Sequence, residues 1–354
     1  MNNRQKGADD VAARLGEQGT GRRRGVGSRP RTSAFAAIDL GTNNCRLLVA
    51  RPEGPAFRVI DAFSRIVRLG EGVTARGELS DQAMDRTIAA LQVCAGKLRH
   101  HQVSRVRSVA TYACRQAANR DDFVARVARE TGINLEIIST RQEAELAIAG
   151  CLPLIDGDAR WALMFDIGGG STELVWMRCG GGTCKLVAWT SLPCGVVTLS
   201  EAHGGDQISR QVNEGMVDQV ATMLAPFEAE HNIAQHATSG ETQLLGTSGT
   251  VTTIAGVHLN LMRYDRSRVD GLRLSFDAID AVSARLVSLD QQGRAAIPTI
   301  GPERADLVVA GCAILDAIRR LWPVGSLWVA DRGIREGILM DMIHPCQPAP
   351  TFDS

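Results

Sequence analysis

The chain has 354 residues, 44% apolar and 22% charged, with zero formal net charge. This is the composition of an ordinary globular protein, with length for two domains. No apolar run approaches the roughly 20 residues that span a bilayer, and the N-terminus lacks the apolar core of a secretory signal, so a membrane partner is not expected and the expected compartment is the cytoplasm.

Residues 1–33 carry eight Lys/Arg and three Asp/Glu, a surplus of five positive charges that the rest of the chain must balance. The stretch GRRRGVGSRPR has almost nothing to bury and reads as a disordered basic tail, either solubilising or able to attract polyanions. From Ser33 onward strand and helix signals alternate. Residues 34–39 and 45–50 are strand-like. Residues 81–99 place Ala83, Met84, Ile88, Leu91, Cys94 and Leu98 at helical spacing, with Ser80 positioned to cap. Strands follow at 106–111 and 134–140, and helices at 121–130 and 141–150. A second series begins at Trp161: strands WALMFDI, STELVWM and CKLVAWTSLP, a helix over 210–224, a strand QLLGTSGT entering a small-residue loop, a helix over 303–321, a strand SLWVAD and a last helix GIREGILMDMI. The alternation implies α/β sheets flanked by helices. The repeated order implies an internal duplication of two lobes facing a cleft. The nine cysteines are scattered without zinc-ligand spacing, so structural thiols are expected rather than disulfides or a metal cluster.

The two series share one turn. AIDLGTNNCRLLV and MFDIGGGSTELV align Asp39 with Asp166, Gly41 with Gly168, Asn44 with Ser171 and Leu47 with Leu174. Each acid ends a buried strand, at the sheet edge where open α/β proteins bind ligands. Small residues after it let the backbone turn tightly and aim N–H groups at one point, an anion nest suited to phosphate. A carboxylate beside phosphate needs an intervening cation, and Mg²⁺ takes carboxylates, waters and phosphate oxygens together. Asp39 and Asp166 are thus the candidate metal-linked acids. GTSGT (246–250) supplies a third small-residue loop, with Gly249 and Thr250.

Paired turns of this kind resemble the superfamily of sugar kinases, Hsp70 chaperones and actin. Within it, nine ordered segments from about Phe35 to Ile343 resemble the exopolyphosphatase/guanosine pentaphosphate phosphatase (Ppx/GppA) family in a short, two-domain form. They include RLGEGV, VATYACRQAANRDDF, LEIISTRQEAELAIAG, SLPCGVVTL, GTSGTVTTIAG, RADLVVAGCAIL and DRGIREGIL. The resemblance implies two duplicated actin-like (ribonuclease H-like) lobes. The expected divisions are a tail over 1–33, an N-terminal lobe over 34–141, a C-terminal lobe over 142–345 whose last helix can pack back on the first lobe, and a tail over 346–354.

The resemblance also implies roles. Glu143 matches the glutamate that activates the attacking water, with Glu145 as fallback; Gln142 stands where relatives often have a second glutamate. Asp166 matches the metal-linked acid that orients the water. Gly168, Gly169, Gly170, Ser171 and Thr172 hold the terminal phosphate from one lobe, and Thr42, Asn43 and Asn44 from the other. Arg115 matches the arginine that faces the substrate phosphates. Glu173 supports the metal or the turn, and Arg46 can pair with a carboxylate. Asp270 replaces a histidine common in relatives, which lowers the positive charge expected beside a polyanion. The implied reaction is Mg²⁺-dependent hydrolysis of a terminal phosphoanhydride, on inorganic polyphosphate or on pppGpp in the stringent response. No specific nucleic acid is implied, and a homodimer stays open. A kinase of the same superfamily and a non-catalytic (p)ppGpp-binding regulator are the other readings.

Overall fold

The computed structural model describes residues 33–181, 183–204 and 208–344. The expected basic tail, apart from Ser33, and the tail over 346–354 lie outside them. The described residues fall in one unit, Ser33–Ser354.

Two sheets repeat one plan. In the first, β1 (Ala34–Leu40), β2 (Asn44–Glu53) and β3 (Ala56–Ile66) form an antiparallel meander. β4 (Val103–Ala110) and β5 (Glu136–Ile137) add in parallel beside β1, so the order is β3-β2-β1-β4-β5. In the second, β6 (Trp161–Ile167), β7 (Thr172–Gly180) and β8 (Thr183–Leu192) repeat the meander. β9 (Thr242–Thr247) pairs in parallel with β6, β10 (Arg273–Ser275) forms the far edge, and β11 (Ser326–Ala330) lies between them. Outward from the meander the two sheets have the same order, which is the duplicated actin-like arrangement. β1 and β6 are the inner strands of both, and their near-continuous apolar runs suit burial on two faces. β3 is an edge strand with mixed polarity, so its sequence carries a weak strand signal.

The helices follow local rules. Ser80 accepts from the Ala83 N–H to cap Asp81–His100, whose apolar face is buried as the spacing predicts. Ser139 caps Thr140–Cys151, and Gln142 returns a bond from its side chain to the Ser139 N–H. Gln142 therefore closes a capping box. Thr140–Cys151 and Ile334–Ile343 pack together in a core between the sheets, with Ala37 and Leu48 from one side and Met164, Val175 and Leu245 from the other. Ile334–Ile343 also lies on β1 and β2.

Three sequence expectations change. QLLGTSGT is a strand only to Thr247; Gly249 already opens the helix Gly249–His258. The helix expected from 303 begins at Val308, and residues 302–307 form turns. Cys179 and Cys184 form a disulfide, because β7 and β8 pair them directly with 4.1 Å between Cα atoms. Spacing in sequence did not reveal this, since hairpin register sets it. The other six described cysteines are buried thiols. Among the described residues no helix is long and apolar enough to cross a membrane.

Candidate active site

The repeated turns face each other across a cleft that opens to solvent. Each turn is closed by the same bond: Gly41 N–H to the Asn44 carbonyl and Gly168 N–H to the Ser171 carbonyl, both 2.9 Å. The turns nearly touch. A Cβ on Gly169 would lie 2.8 Å from Thr42 Cβ, and one on Gly170 would strike the Tyr112 ring. Among the described residues, the N–H groups of Thr42, Asn43, Gly169 and Gly170 meet no acceptor. These four donors belong to residues that line the cleft, so the facing turns form a nest for an anion. Gly249 and Thr250 add the N-terminus of Gly249–His258 to the wall, the positive end of a helix dipole. Ser248, held at φ 150, caps that helix by accepting from the Val251 N–H.

Four carboxyls gather here: Asp39, Glu143 and Asp166 line the cleft, and Glu173 is buried beside them. Asp39 pairs across β1–β2 with Arg46, and Asp166 across β6–β7 with Glu173. Asp39 and Asp166 each keep a side open to the cleft while protein surrounds the rest. Burial raises Asp39, against the pull of Arg46 and Arg335. Burial and the nearby Glu143 push Asp166 up to about 7, against Arg46. Burial and Asp166 raise Glu173, although Ser171 and Ser191 bond to it. Glu143 is buried on the first turn of Thr140–Cys151, where it lines the cleft. Burial, then Glu173, raises it; the Arg115 guanidinium 2.7 Å away is the main opposing influence. The ion pair does not offset the desolvation, as is common for enclosed charges.

This donor set fits a divalent cation. No cluster of three or more His, Cys, Asp or Glu is arranged to hold a metal among the described residues. Mg²⁺, however, commonly takes only one or two carboxylates, with waters and phosphate oxygens completing its shell. Asp39 and Asp166 are enclosed acids whose burial raises their proton affinity, and a cation beside them would favour their ionised forms. The Oδ1 atoms of Asn43 and Asn44 are buried acceptors without a partner among the described residues.

Most residues singled out from the sequence meet in this cleft: Asp39, Thr42, Asn43, Asn44, Glu143 and Asp166, with Gly168, Gly169, Gly170, Ser171, Gly249 and Thr250. Two do not line it. Thr172 is fully buried and donates its hydroxyl to the Cys194 carbonyl, so it braces the turn from behind. Arg115 donates to Glu143 and to the Ile138 carbonyl. It holds the carboxylate, and its Nη2 has no partner among the described residues. Glu145 pairs with Arg141 at 3.1 Å, off the cleft lining. Asp270 is occupied by Arg332 at 2.8 Å and by the Asp331 N–H. Arg46 lines the cleft and acts on both Asp39 and Asp166, yet no carboxylate lies within ion-pair distance among the described residues. The structure adds Tyr112, Ser248 and Arg304 to the wall. Arg304 escaped sequence reading because ERADLVVAG looked helical from its first residue.

The profile of the Ppx/GppA phosphatase family matches residues 48–345. A protein named exopolyphosphatase 2 from Mycobacterium tuberculosis (strain CDC 1551 / Oshkosh) is 31% identical over 322 residues, covering 87% of this chain and 98% of that protein. A crystal structure of an exopolyphosphatase from Cytophaga hutchinsonii superposes with a TM-score of 0.80 at 25% identity, covering 89% of this chain and 99% of that one. The Ppx/GppA family member from Aquifex aeolicus superposes with a TM-score of 0.72 at 26% identity, covering 89% and 99%.

Proposed function

The chain belongs to the Ppx/GppA phosphatase family and is a phosphoanhydride hydrolase, and on that premise we propose that it is a Mg²⁺-dependent exopolyphosphatase releasing orthophosphate from the end of inorganic polyphosphate. The observation that carries the proposal is the pair of facing turns with four free N–H groups, set beside an enclosed glutamate. The polyphosphate preference draws on the names of the relatives from M. tuberculosis and C. hutchinsonii. The 5′ γ-phosphate of pppGpp is the alternative substrate of the same chemistry.

In this reading the turns bind the terminal phosphate through backbone N–H groups, which need no reorganisation as charge shifts. Arg115 fixes the Glu143 carboxylate at the cleft. Ionised Glu143 accepts a proton from water as the water oxygen bonds to the terminal phosphorus. The bridging P–O bond breaks, and its electron pair leaves with the shortened chain. The raised proton affinity of Glu143 brings it closer to that of a base working near neutral pH. Asp39 and Asp166 would hold Mg²⁺, which supplies charge neutralisation on the phosphate oxygens.

The test is orthophosphate release from polyphosphate, pppGpp and ATP side by side, with Mg²⁺ and with EDTA. Faster release from polyphosphate, lost in EDTA, is expected. Preference for pppGpp would move the assignment to the alternative substrate, and tight binding without release would favour the regulator reading.

A further inference from the structure

Each of the facing turns has its carbonyls held by a neighbouring segment, and the two segments are bonded to each other. Residues 67–70, just after β3, hold the first turn. Val67 and Arg68 donate their N–H groups to the Asn43 carbonyl at 2.8 and 3.1 Å, and Gly70 donates to the Thr42 carbonyl at 2.9 Å. The approach is close: a Cβ on Gly70 would strike Thr42 Cγ2. Arg68 sits in the left-handed region, φ 48, where a residue with a side chain stays only if its surroundings hold it. The helix Val196–Ala202 holds the second turn: Val196 donates to the Gly168 carbonyl at 3.0 Å and Val197 to the Gly169 carbonyl at 2.8 Å. All these bonds use turn carbonyls, so the four free N–H groups stay available to an anion.

Side chains join the two segments. Arg68 donates from both terminal nitrogens to the Asp306 carboxylate at 2.8 and 3.0 Å, and to the Glu303 carbonyl at 3.0 Å. Ser200, on Val196–Ala202, donates to the Asp306 carbonyl at 3.0 Å. The Gly72 N–H donates to Glu201 Oε1 at 2.9 Å. The Arg68–Asp306 pair is bidentate and partly buried, so it holds direction as well as charge. An unbroken chain of bonds thus runs from the Asn43 carbonyl through Arg68, Asp306 and Ser200 to the helix that grips Gly168 and Gly169.

We propose that Arg68, Asp306 and Glu201 form a clasp that sets the spacing between the two glycine turns, and so act as positioning residues for the terminal phosphate. The proposal rests on the phosphoanhydride reading of the site. A phosphate meets N–H groups of both turns well only at one spacing, because such bonds weaken away from about 2.9 Å and a straight approach. A misplacement of about 1 Å costs on the order of 100-fold. Each clasp residue acts through the peptide groups that it holds.

The first test needs no substrate. Spin labels go on Gln92→Cys and Ala225→Cys, exposed positions on Asp81–His100 and Arg210–His231, in the full chain carrying Cys346→Ser; the six described thiols are buried. Arg68→Gln should lengthen or broaden the distance between the labels, read by pulsed electron paramagnetic resonance. An unchanged distribution overturns the clasp, whatever the protein hydrolyses. The second test titrates the full chain carrying Glu143→Gln calorimetrically with orthophosphate and with tripolyphosphate. Adding Arg68→Gln should weaken both roughly 10- to 100-fold, since both present a terminal phosphate to the turns. Combining Arg68→Asp with Asp306→Arg should bind both more tightly than either single change. Glu201→Ala should give a smaller loss, and Glu201→Gln, which keeps an acceptor for Gly72, should recover most of it. A lowered Tm with phosphate affinity unchanged would make the pair a stabilising contact only and overturn its positioning role, as would a swap no better than either single change. Binding of neither probe before Arg68 is changed would count against the phosphoanhydride reading, while the label distance would still decide on the clasp.

Discussion

At the scale of single residues the proposed mechanism separates three kinds of work in the cleft: proton acceptance, cation attraction and backbone approach. Glu143→Gln keeps an acceptor for Arg115 but removes the base. It should lower kcat by about 10²–10⁴ with substrate affinity largely kept, as steady-state rates and calorimetry together would read. Near-wild-type turnover would transfer the role to another group. Asp166→Asn keeps size and one oxygen but loses the charge that draws the cation. The Mg²⁺ concentration for half-activity should rise and kcat at saturating metal should fall; an unmoved midpoint would detach Asp166 from the metal. Gly169→Val acts differently. Its Cβ meets Thr42 and the Asn43 backbone of the facing turn, so it should raise KM with little change in the Mg²⁺ midpoint.

At the scale of elements, the turn-bearing strands are fixed by a helix pair beneath them. Gly150 faces the Gly333 carbonyl and Gly337 faces the Leu146 carbonyl, each too close for a side chain. This close crossing seats Thr140–Cys151, and therefore Glu143, at the cleft. Gly337→Ala should destabilise the fold by about 1–3 kcal/mol, the usual cost of overpacking, in urea unfolding followed by circular dichroism. If the variant is instead as stable as wild type, the crossing tolerates a methyl and the helix pair is not held by backbone contact.

At the scale of the whole molecule, the enclosed acids link stability to pH and, under the proposed function, to Mg²⁺. Unfolded carboxyls titrate near pH 4. In the folded chain Asp166 is pushed up to about 7, and Glu143 and Glu173 are also raised, all three chiefly by burial. Between those values the native state holds more protons than the unfolded one. Its stability from these groups is therefore full below about pH 4 and is lost as pH rises through the folded values. Mg²⁺ would favour the ionised forms and offset that loss. The difference in Tm between Mg²⁺ and EDTA should grow from about pH 5 to about pH 8. A difference that is flat over this range would mean that no cation relieves the buried acids.

The sequence by itself determined the repeated turn and most of the strands and helices that flank it. Both depend on local rules: buried inner strands read as apolar runs, small residues permit tight turns, and Ser80 and Ser139 mark helix starts. Family resemblance added Glu143, which residue type alone would have left as an ordinary first-turn glutamate. Edge strand β3 and the helix Gly249–His258 were missed because exposure dilutes the first pattern and a Gly/Ser/Thr start disguises the second. Tertiary structure alone decided that Arg115 grips Glu143 across 28 positions, that Arg68 reaches Asp306 across 238, and that Cys179 meets Cys184 in a hairpin. It also decided the proton affinities of the acids, because burial and charge neighbours follow from how the two sheets pack, and no short window of sequence contains both sides of that contact.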